Sequence, residues 1–369
     1  MAARAGLSLP PRGAAIAAIA SLCAIAMLVR ASGAAGSPLR ECYSERSDFF
    51  SPLAGRWSEP EGVRPRPYAL LGCPLMTSQF SCGYLGNAVR AAVLQRTRFV
   101  PSECVLRDPA DPAHVRRFLQ RNAGRTIVFA GDSMTGQHFS AFHCNLMAAA
   151  EPLRTDIEWE DRVWNPDGPV CGPERCAITE GPHASLNRAT IVYEHNVTFH
   201  FHRDLKPLTQ IQTPFAFFGL RPTDAIIANA GLWYNPTYKA DQAEGYVADI
   251  GEMLHYVRDN SAILPVVIFR ESTAQHFAKG DGGLYPPGIS PTDRVCAGRP
   301  LEQMRDARNA LVRDAVEEAG LAVLRVWEHS AQMSNGTMWD QNKPDCTHFC
   351  APGVPDSWAD LTFTMLLHI

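Results

Sequence analysis

A chain of 369 residues, 46% hydrophobic and 20% charged, has material for one large core or two modest ones, and its composition is globular. The formal net charge of -4 and a pI of about 6.3, with no stripe of Lys and Arg against that balance, argue against a nucleic-acid partner.

Residues 13–29 carry no charge and are bounded by Arg12 and Arg30, with Arg4 further upstream. The run is read as an uncleaved signal anchor with a cytoplasmic N-terminus; the small residues 31–37 leave a cleaved signal as the alternative. Either reading sends the rest of the chain into the secretory pathway, and residues 31–40 read as a short flexible stem. Of 11 cysteines, Cys23 lies in the apolar run. The other ten, an even number, suit up to five disulfides in an oxidising lumen, with the pairing not legible from sequence. Asn196-Val-Thr198 and Asn335-Gly-Thr337 are glycosylation sequons if exposed there.

Residues 41–110 are rich in Pro, Gly, Cys and aromatics and show little periodicity, which predicts a disulfide-stapled region packed on the more regular C-terminal part of the chain. Asp111-Pro112 then opens a helix with Val115, Phe118 and Leu119 on one face and Gly124 as its stop. Residues 126–130 read as a buried strand that breaks at Gly131-Asp-Ser133 and resumes as a helix through Phe139, Phe142 and Leu146. Strands are expected at 190–194 and 197–202, at 224–229, at 263–269 and at 321–327. Helices are expected at 241–258, 301–320 and 356–367, the second being the clearest, with Leu301, Met304, Leu311 and Ala315 on one face. Apolar strands alternating with amphipathic helices predict an α/β fold with a mainly parallel sheet covered on both faces, spanning 111–369.

Ser133 stands where a buried strand turns into a helix. That places it at the carboxyl edge of the sheet, beside the free N–H groups of a first helical turn. Asp132 is expected to cap or brace the turn. Asp345-Cys-Thr-His348 lies between the last strand and the last helix, so the fold brings it to the same edge. An Asp three residues before a His can hold Nδ1 and leave Nε2 facing a serine hydroxyl, the nucleophile, base and orienter of acyl transfer. Cys346, His348 and Cys350, with Cys171 and Cys176, could be read as zinc ligands, but zinc-thiolate clusters prefer other spacings and no metal is assigned. His200 and His202 share one strand face, which an exposed surface explains better than a metal does.

Gly131-Asp-Ser133 with Asp345-x-x-His348 resembles the paired motifs of the SGNH/GDSL hydrolase superfamily. The wider context resembles its PC-esterase branch, the trichome-birefringence-like polysaccharide O-acetyltransferases. Gly55-Arg-Trp57, Cys73-Pro74 and Cys82 fall in that family's order. Asn229-Ala-Gly-Leu-Trp-Tyr234, Phe269-Arg-Glu-Ser-Thr-Ala-Gln-His-Phe277 and Asp345-Cys-Thr-His-Phe-Cys-Ala-Pro-Gly-Val-Pro-Asp-Ser-Trp358 look like three further blocks. Departures are Gly136 in place of a usual Arg, Phe139 and Phe349 in place of tryptophans, Ala351 in place of a leucine, and Ala274 where Pro is common.

The resemblance implies an SGNH-like three-layer sandwich with a cysteine-rich N-terminal region packed on it. Ser133 would be the acyl carrier, His348 the general base and acid, and Asp345 its orienter. The Ser133 N–H and Asn229 would form the oxyanion hole. Arg270 and His276 would line the acceptor cleft, with a structural ion pair and a core histidine as alternatives. Trp233 and Tyr234 would stack on sugar rings, or else pack in the core. The implied acceptor is a xylan- or mannan-like polysaccharide and the implied donor acetyl-CoA, although no CoA-binding motif is visible and no bound cofactor is expected. The implied location is the Golgi membrane with the catalytic domain lumenal, secretion being the alternative. A carbohydrate acetyl esterase of the same triad and a non-catalytic glycan-binding protein are the competing functional readings.

Overall fold

Short apolar runs at 127–130, 225–228 and 266–269 form the middle of the central sheet. The computed structural model describes residues 39–369 except 50, 52, 61–64, 67–72, 77–79, 82–87, 160–161, 164–185, 204–216, 230, 237–239 and 341–342. In chain order, β1 (Arg40–Glu41), β2 (Gly55–Ser58), α1 (Ala88–Leu94), β3 (Arg98–Pro101) and β4 (Cys104–Val105) belong to the N-terminal region. Then come α2 (Pro112–Arg121), β5 (Thr126–Gly131), α3 (Ser133–Met147), β6 (Arg154–Trp159), β7 (Arg162–Val163), β8 (Leu186–Tyr193), β9 (Val197–Arg203) and β10 (Ala225–Ala228). The remainder comprises α4 (Ala240–Asp259), β11 (Val266–Arg270), α5 (Asn309–Glu318), β12 (Ala322–Leu324), α6 (Trp327–Ala331), β13 (Thr337–Asp340), β14 (Lys343–Phe349) and α7 (Val354–Leu366).

Eight strands form one sheet in the order β12-β11-β10-β5-β9-β8-β6-β7. The four pairings from β12 to β9 are parallel and the three beyond are antiparallel, so the expected mainly parallel sheet is present. Alternation along β5 explains the layers. Ile127 and Phe129 face a core shared with Phe118 of α2, Phe142 of α3 and Phe363 of α7. Val128 and Ala130 face a second core with Tyr246, Ile250 and Met253 of α4 and Val312 and Val316 of α5. Strands buried on both faces need such continuous apolar runs. The register aligns Ala130 with Ala228 and Ala228 with Phe269, so Gly131, Asn229 and Arg270 reach the carboxyl edge together.

Two expectations need correction. The predicted helix over 301–320 is only α5, preceded by a single 3-10 turn at Leu301–Gln303. Asp306 is the reason: its carboxylate takes the Asn309 N–H at 3.2 Å and the Asn309 amide at 2.7 Å, so it starts the helix there. The predicted strand over 321–327 ends at Leu324, because Glu271 Oε2 accepts the Val326 and Trp327 N–H groups, each at 3.1 Å, and turns the chain into α6.

Residues 41–369 form one compact unit. Cys42–Cys104 staples the N-terminal region and Cys73–Cys144 fastens it to α3. Arg66, 1% exposed, reaches Asp360 of α7 at 2.5 Å, and Trp57 Nε1 donates to the His329 carbonyl at 2.9 Å. Among the described residues no helix is long and apolar enough to cross a membrane; the run at 13–29 lies outside them.

Candidate active site

The turn at the end of β5 is fixed by its own side chains. Asp132 is the N-cap of α3: Oδ1 accepts the N–H groups of Met134 (2.9 Å) and Thr135 (3.4 Å), while its carbonyl takes that of Gly136 (3.0 Å). Three of the first four amide groups of α3 are thereby used. The fourth, of Ser133 itself, has no partner among the described residues and lies at the positive end of the helix. Gly131 is required by close approach, since a Cβ there would come within 2.3 Å of Thr135 Oγ1 and 2.8 Å of the Asn229 carbonyl.

Asp345 and His348 sit on β14, which pairs with β13 in a hairpin between the last strand of the sheet and the last helix. The hairpin is not formed from an alternating pattern; it is pinned. Gln137, one helical turn beyond Ser133, donates Nε2 to the Phe349 carbonyl at 2.6 Å and accepts the Phe349 N–H at 3.2 Å. One face of α3 therefore carries both the serine and the clamp for the residue after His348. The Cys296–Cys346 disulfide fixes the other side of the strand.

The result is a continuous relay. Ser133 Oγ lies 2.8 Å from His348 Nε2, and His348 Nδ1 lies 2.7 Å from Asp345 Oδ2. With Nδ1 donating to the carboxylate, Nε2 is the acceptor for the serine hydroxyl. Asp345 Oδ1 accepts the N–H groups of Thr347 (2.9 Å) and His348 (3.1 Å), which locks the carboxylate. Burial opposes charge on both groups, but their mutual attraction and hydrogen bond outweigh it. Asp345 is held well below the usual carboxylate range and His348 is raised above the ordinary imidazole value. Burial also pushes Asp132 up, against Arg270 and the two capping N–H groups.

The relay opens into a cleft of about 580 Å³, whose walls include Trp233, Gln275, Tyr285, Arg294 and Arg308. Trp233, 53% exposed, stands there as anticipated. Tyr234 does not: it is buried and its hydroxyl donates to Asp249. Asn229 is buried beside the turn and donates one amide N–H to the Arg270 carbonyl at 3.0 Å, which orients its side chain. Arg270 and His276 are both fully buried and form no part of the cleft wall. The Arg270 guanidinium lies over the Trp358 ring at 4.6 Å, and burial lowers it to about 10 despite nearby Asp132. His276 Nε2 donates to the Ser330 carbonyl at 2.9 Å, and burial lowers it to about 4, so it is a neutral core histidine.

The zinc alternative loses its ligands: Cys346 is bonded to Cys296, Cys350 is also disulfide-bonded, and Cys171 and Cys176 lie outside the described residues. His200 accepts or donates at Thr190 Oγ1 (2.9 Å) and stacks on Phe218, so its strand face is covered rather than open. Gln137, Gln275 and Arg308 escaped sequence reasoning. Only the four-residue spacing of Gln137 from Ser133 could have pointed to one of them.

No family model matches the chain. It is 24% identical to probable xylan O-acetyltransferase 9 of Oryza sativa subsp. japonica, over 88% of this chain and 78% of that protein. It is likewise 24% identical to protein trichome birefringence-like 14 of Arabidopsis thaliana, over 83% of this chain and 84% of that protein. Xylan O-acetyltransferase 2 of Oryza sativa subsp. japonica is 22% identical over 85% of this chain and 68% of its own length. Over most of its length the chain is thus similar, at 22–24% identity, to xylan O-acetyltransferases and trichome birefringence-like proteins of plants.

Proposed function

We propose that this protein is an O-acetyltransferase that carries an acetyl group on Ser133 and delivers it to a hydroxyl of a cell-wall polysaccharide of xylan or mannan type. The observation that carries the reading is the unbroken Ser133–His348–Asp345 relay at the wall of a cleft, in a chain whose homologues are named xylan O-acetyltransferases. The cleft volume lies within the usual range for small-molecule and sugar sites. His348 Nε2 takes the Ser133 proton as Oγ attacks the acetyl carbonyl, and returns it to the leaving group. The same nitrogen then takes the proton of the incoming sugar hydroxyl, and returns it to Ser133 Oγ as the ester forms on the glycan. The free Ser133 N–H and an Asn229 amide N–H are assigned to the oxyanion. Acetyl-CoA is the proposed donor.

Residues 1–40 are assigned as cytoplasmic tail, signal anchor and stem, 41–110 as the cysteine-rich region, and 111–369 as the catalytic domain facing the Golgi lumen. The disulfides support an oxidising compartment.

Intact-mass spectrometry of the full chain and its Ser133→Ala variant tests the reading, with an acetyl donor and with or without xylan or mannan oligosaccharides. The expected result is an acetyl adduct on Ser133 that disappears as the oligosaccharide gains mass. Release of acetate from pre-acetylated glycan without any transfer would instead make the protein an esterase. Identical behaviour of wild type and variant would refute the site.

A further inference from the structure

Arg308 is a buried cation without a carboxylate. It is 3% exposed, and its nitrogens donate to neutral oxygens: Nε to the Tyr234 carbonyl (2.8 Å), Nη2 to the Leu232 carbonyl (3.5 Å) and to Gln275 Oε1 (3.2 Å). Nη1 has no hydrogen-bond partner among the described residues. The contrast with Arg66 is direct, since Arg66 is equally buried but sits on Asp360 at 2.5 Å. Burial lowers the Arg308 guanidinium to about 10, an effect that more distant acidic groups do not cancel. A buried charge answered only by carbonyl dipoles is costly, and an anion placed against it would relieve that cost.

Arg294 repeats the pattern on the same cleft. Its Nε is buried without a hydrogen-bond partner, its guanidinium stands 5.7 Å from the Tyr285 ring centroid, and it makes no ion pair among the described residues. Among the described residues Asp345 is the one carboxylate of the wall, and it is already committed to His348. Apart from the relay, the charged side chains described in the wall are therefore both cationic, Arg294 and Arg308.

Position decides what the anion belongs to. Arg308 grips the carbonyls of Leu232 and Tyr234, the residues on either side of Trp233, whose exposed ring lines the same cleft. A sugar stacked on that ring and a charge bound by Arg308 are held by one piece of backbone.

We propose that Arg308 and Arg294 form an anion subsite beside Ser133, and that the acceptor is an acidic glycan whose uronic acid carboxylate docks there. The proposal rests on Ser133 as acetyl carrier. The unpaired Arg308 Nη1 and the Arg294 guanidinium can both donate to a carboxylate, and the shared cleft places it on the same acceptor chain as the hydroxyl that meets Ser133.

The test uses the full-length protein, with p-nitrophenyl acetate and acetyl-CoA as donors. Three acceptors are compared: an unbranched xylo-oligosaccharide, the same backbone bearing glucuronic acid, and its glucuronic acid methyl ester. The free acid should be acetylated with a kcat/KM at least about tenfold above the unbranched chain, the low end for a hydrogen bond to a charged group, and the methyl ester should behave as the unbranched chain. In Arg294→Gln and Arg308→Gln the ratio of acid to ester should fall toward one. The comparison of acid with ester needs no variant, so misfolding of Arg308→Gln cannot hide the answer. Equal rates for acid and ester in the wild type overturn the proposal. So does a loss, in the variants, of discrimination between acetyl-CoA and p-nitrophenyl acetate, which would give the arginines to donor phosphates. Absence of an acetyl-Ser133 adduct with either donor is a separate result, and sinks the underlying reading as well.

Discussion

Replacing Asp345 by Asn removes one charge and leaves the volume unchanged. Asp345 Oδ1 is held by two backbone N–H groups, at 2.9 and 3.1 Å. An asparagine must keep its carbonyl oxygen there, which forces its NH2 toward His348 Nδ1. Two donors then face each other, and the imidazole answers by making Nδ1 the acceptor and moving its proton to Nε2. It can no longer accept from Ser133. A loss of about 10⁴ in turnover, about 5 kcal/mol of barrier, is expected for such a tautomer exchange. The pH profile should move too. In the wild type only neutral His348 is a base, so activity rises with pH through a midpoint above the ordinary 6.5. Without that carboxylate, burial and Arg203 lower the imidazole against the Asp132 charge alone. His276, buried against a single carbonyl, shows the direction. The residual activity of Asp345→Asn should therefore titrate at lower pH than the wild type. Burst kinetics with p-nitrophenyl acetate between pH 5 and 9 measure both effects. Retention of a tenth of wild-type turnover, or an unmoved acidic limb, would refute the relay.

Gly131→Ala should cost about 2 kcal/mol or more in chemical denaturation and depress activity further, because the new Cβ meets Thr135 and the Asn229 carbonyl. A neutral effect would mean that the turn is not tight. Trp233→Ala should raise KM for oligosaccharides about tenfold while p-nitrophenyl acetate kinetics hold, as expected for a stacking ring remote from the acetyl group. Removing the Cys296–Cys346 bridge, which spans 50 residues, with a Cys296→Ala/Cys346→Ala pair should lower unfolding free energy by about 4 kcal/mol. Acid should weaken the fold before it protonates most carboxylates. Burial holds His138, His143, His276 and His329 neutral, below the ordinary 6.5. Below that value the unfolded chain takes up protons that the native state refuses, so stability is full above about 6.5 and falls as pH drops. Asp360, pushed up to about 6, and His348, raised by Asp345, gain protons on folding and offset part of the loss. A net loss on the order of 3 kcal/mol between pH 7.5 and 5.5 is expected, and a flat urea midpoint over that range would contradict it.

How much of the fold and the site was legible depends on where each interaction lies in sequence. Strand β5, the turn at Ser133 and the start of α3 are local: an apolar run, a glycine and a capping aspartate within a few residues. Asp345 and His348 were legible for the same reason, since the carboxylate and imidazole that pair are three residues apart. What was missed is long-range. Nothing near Gln137 announces that it will clamp Phe349, 212 residues away. Arg270 and His276 were placed in the cleft only by the family resemblance, with a structural ion pair and a core histidine as the alternatives. Burial under Trp358 and against Ser330 is a tertiary fact. The helix predicted from 301 was cut short by Asp306, whose hydrogen bonding a hydrophobic period does not register.

The two halves of the relay owe their rigidity to different forces. Ser133 rides on β5 and α3, sealed on all sides by the core. Asp345 and His348 ride on a two-stranded ribbon outside the main sheet, held by the Gln137 clamp and by covalent bonds at Cys346 and Cys350. Hydrophobic burial forms as the chain collapses; the covalent bonds wait for an oxidant. The Cys73–Cys144 bond on α3 adds to a helix the core already holds, whereas the ribbon leans on its covalent bonds, so reductant should disarm the protein at concentrations that leave the sheet intact.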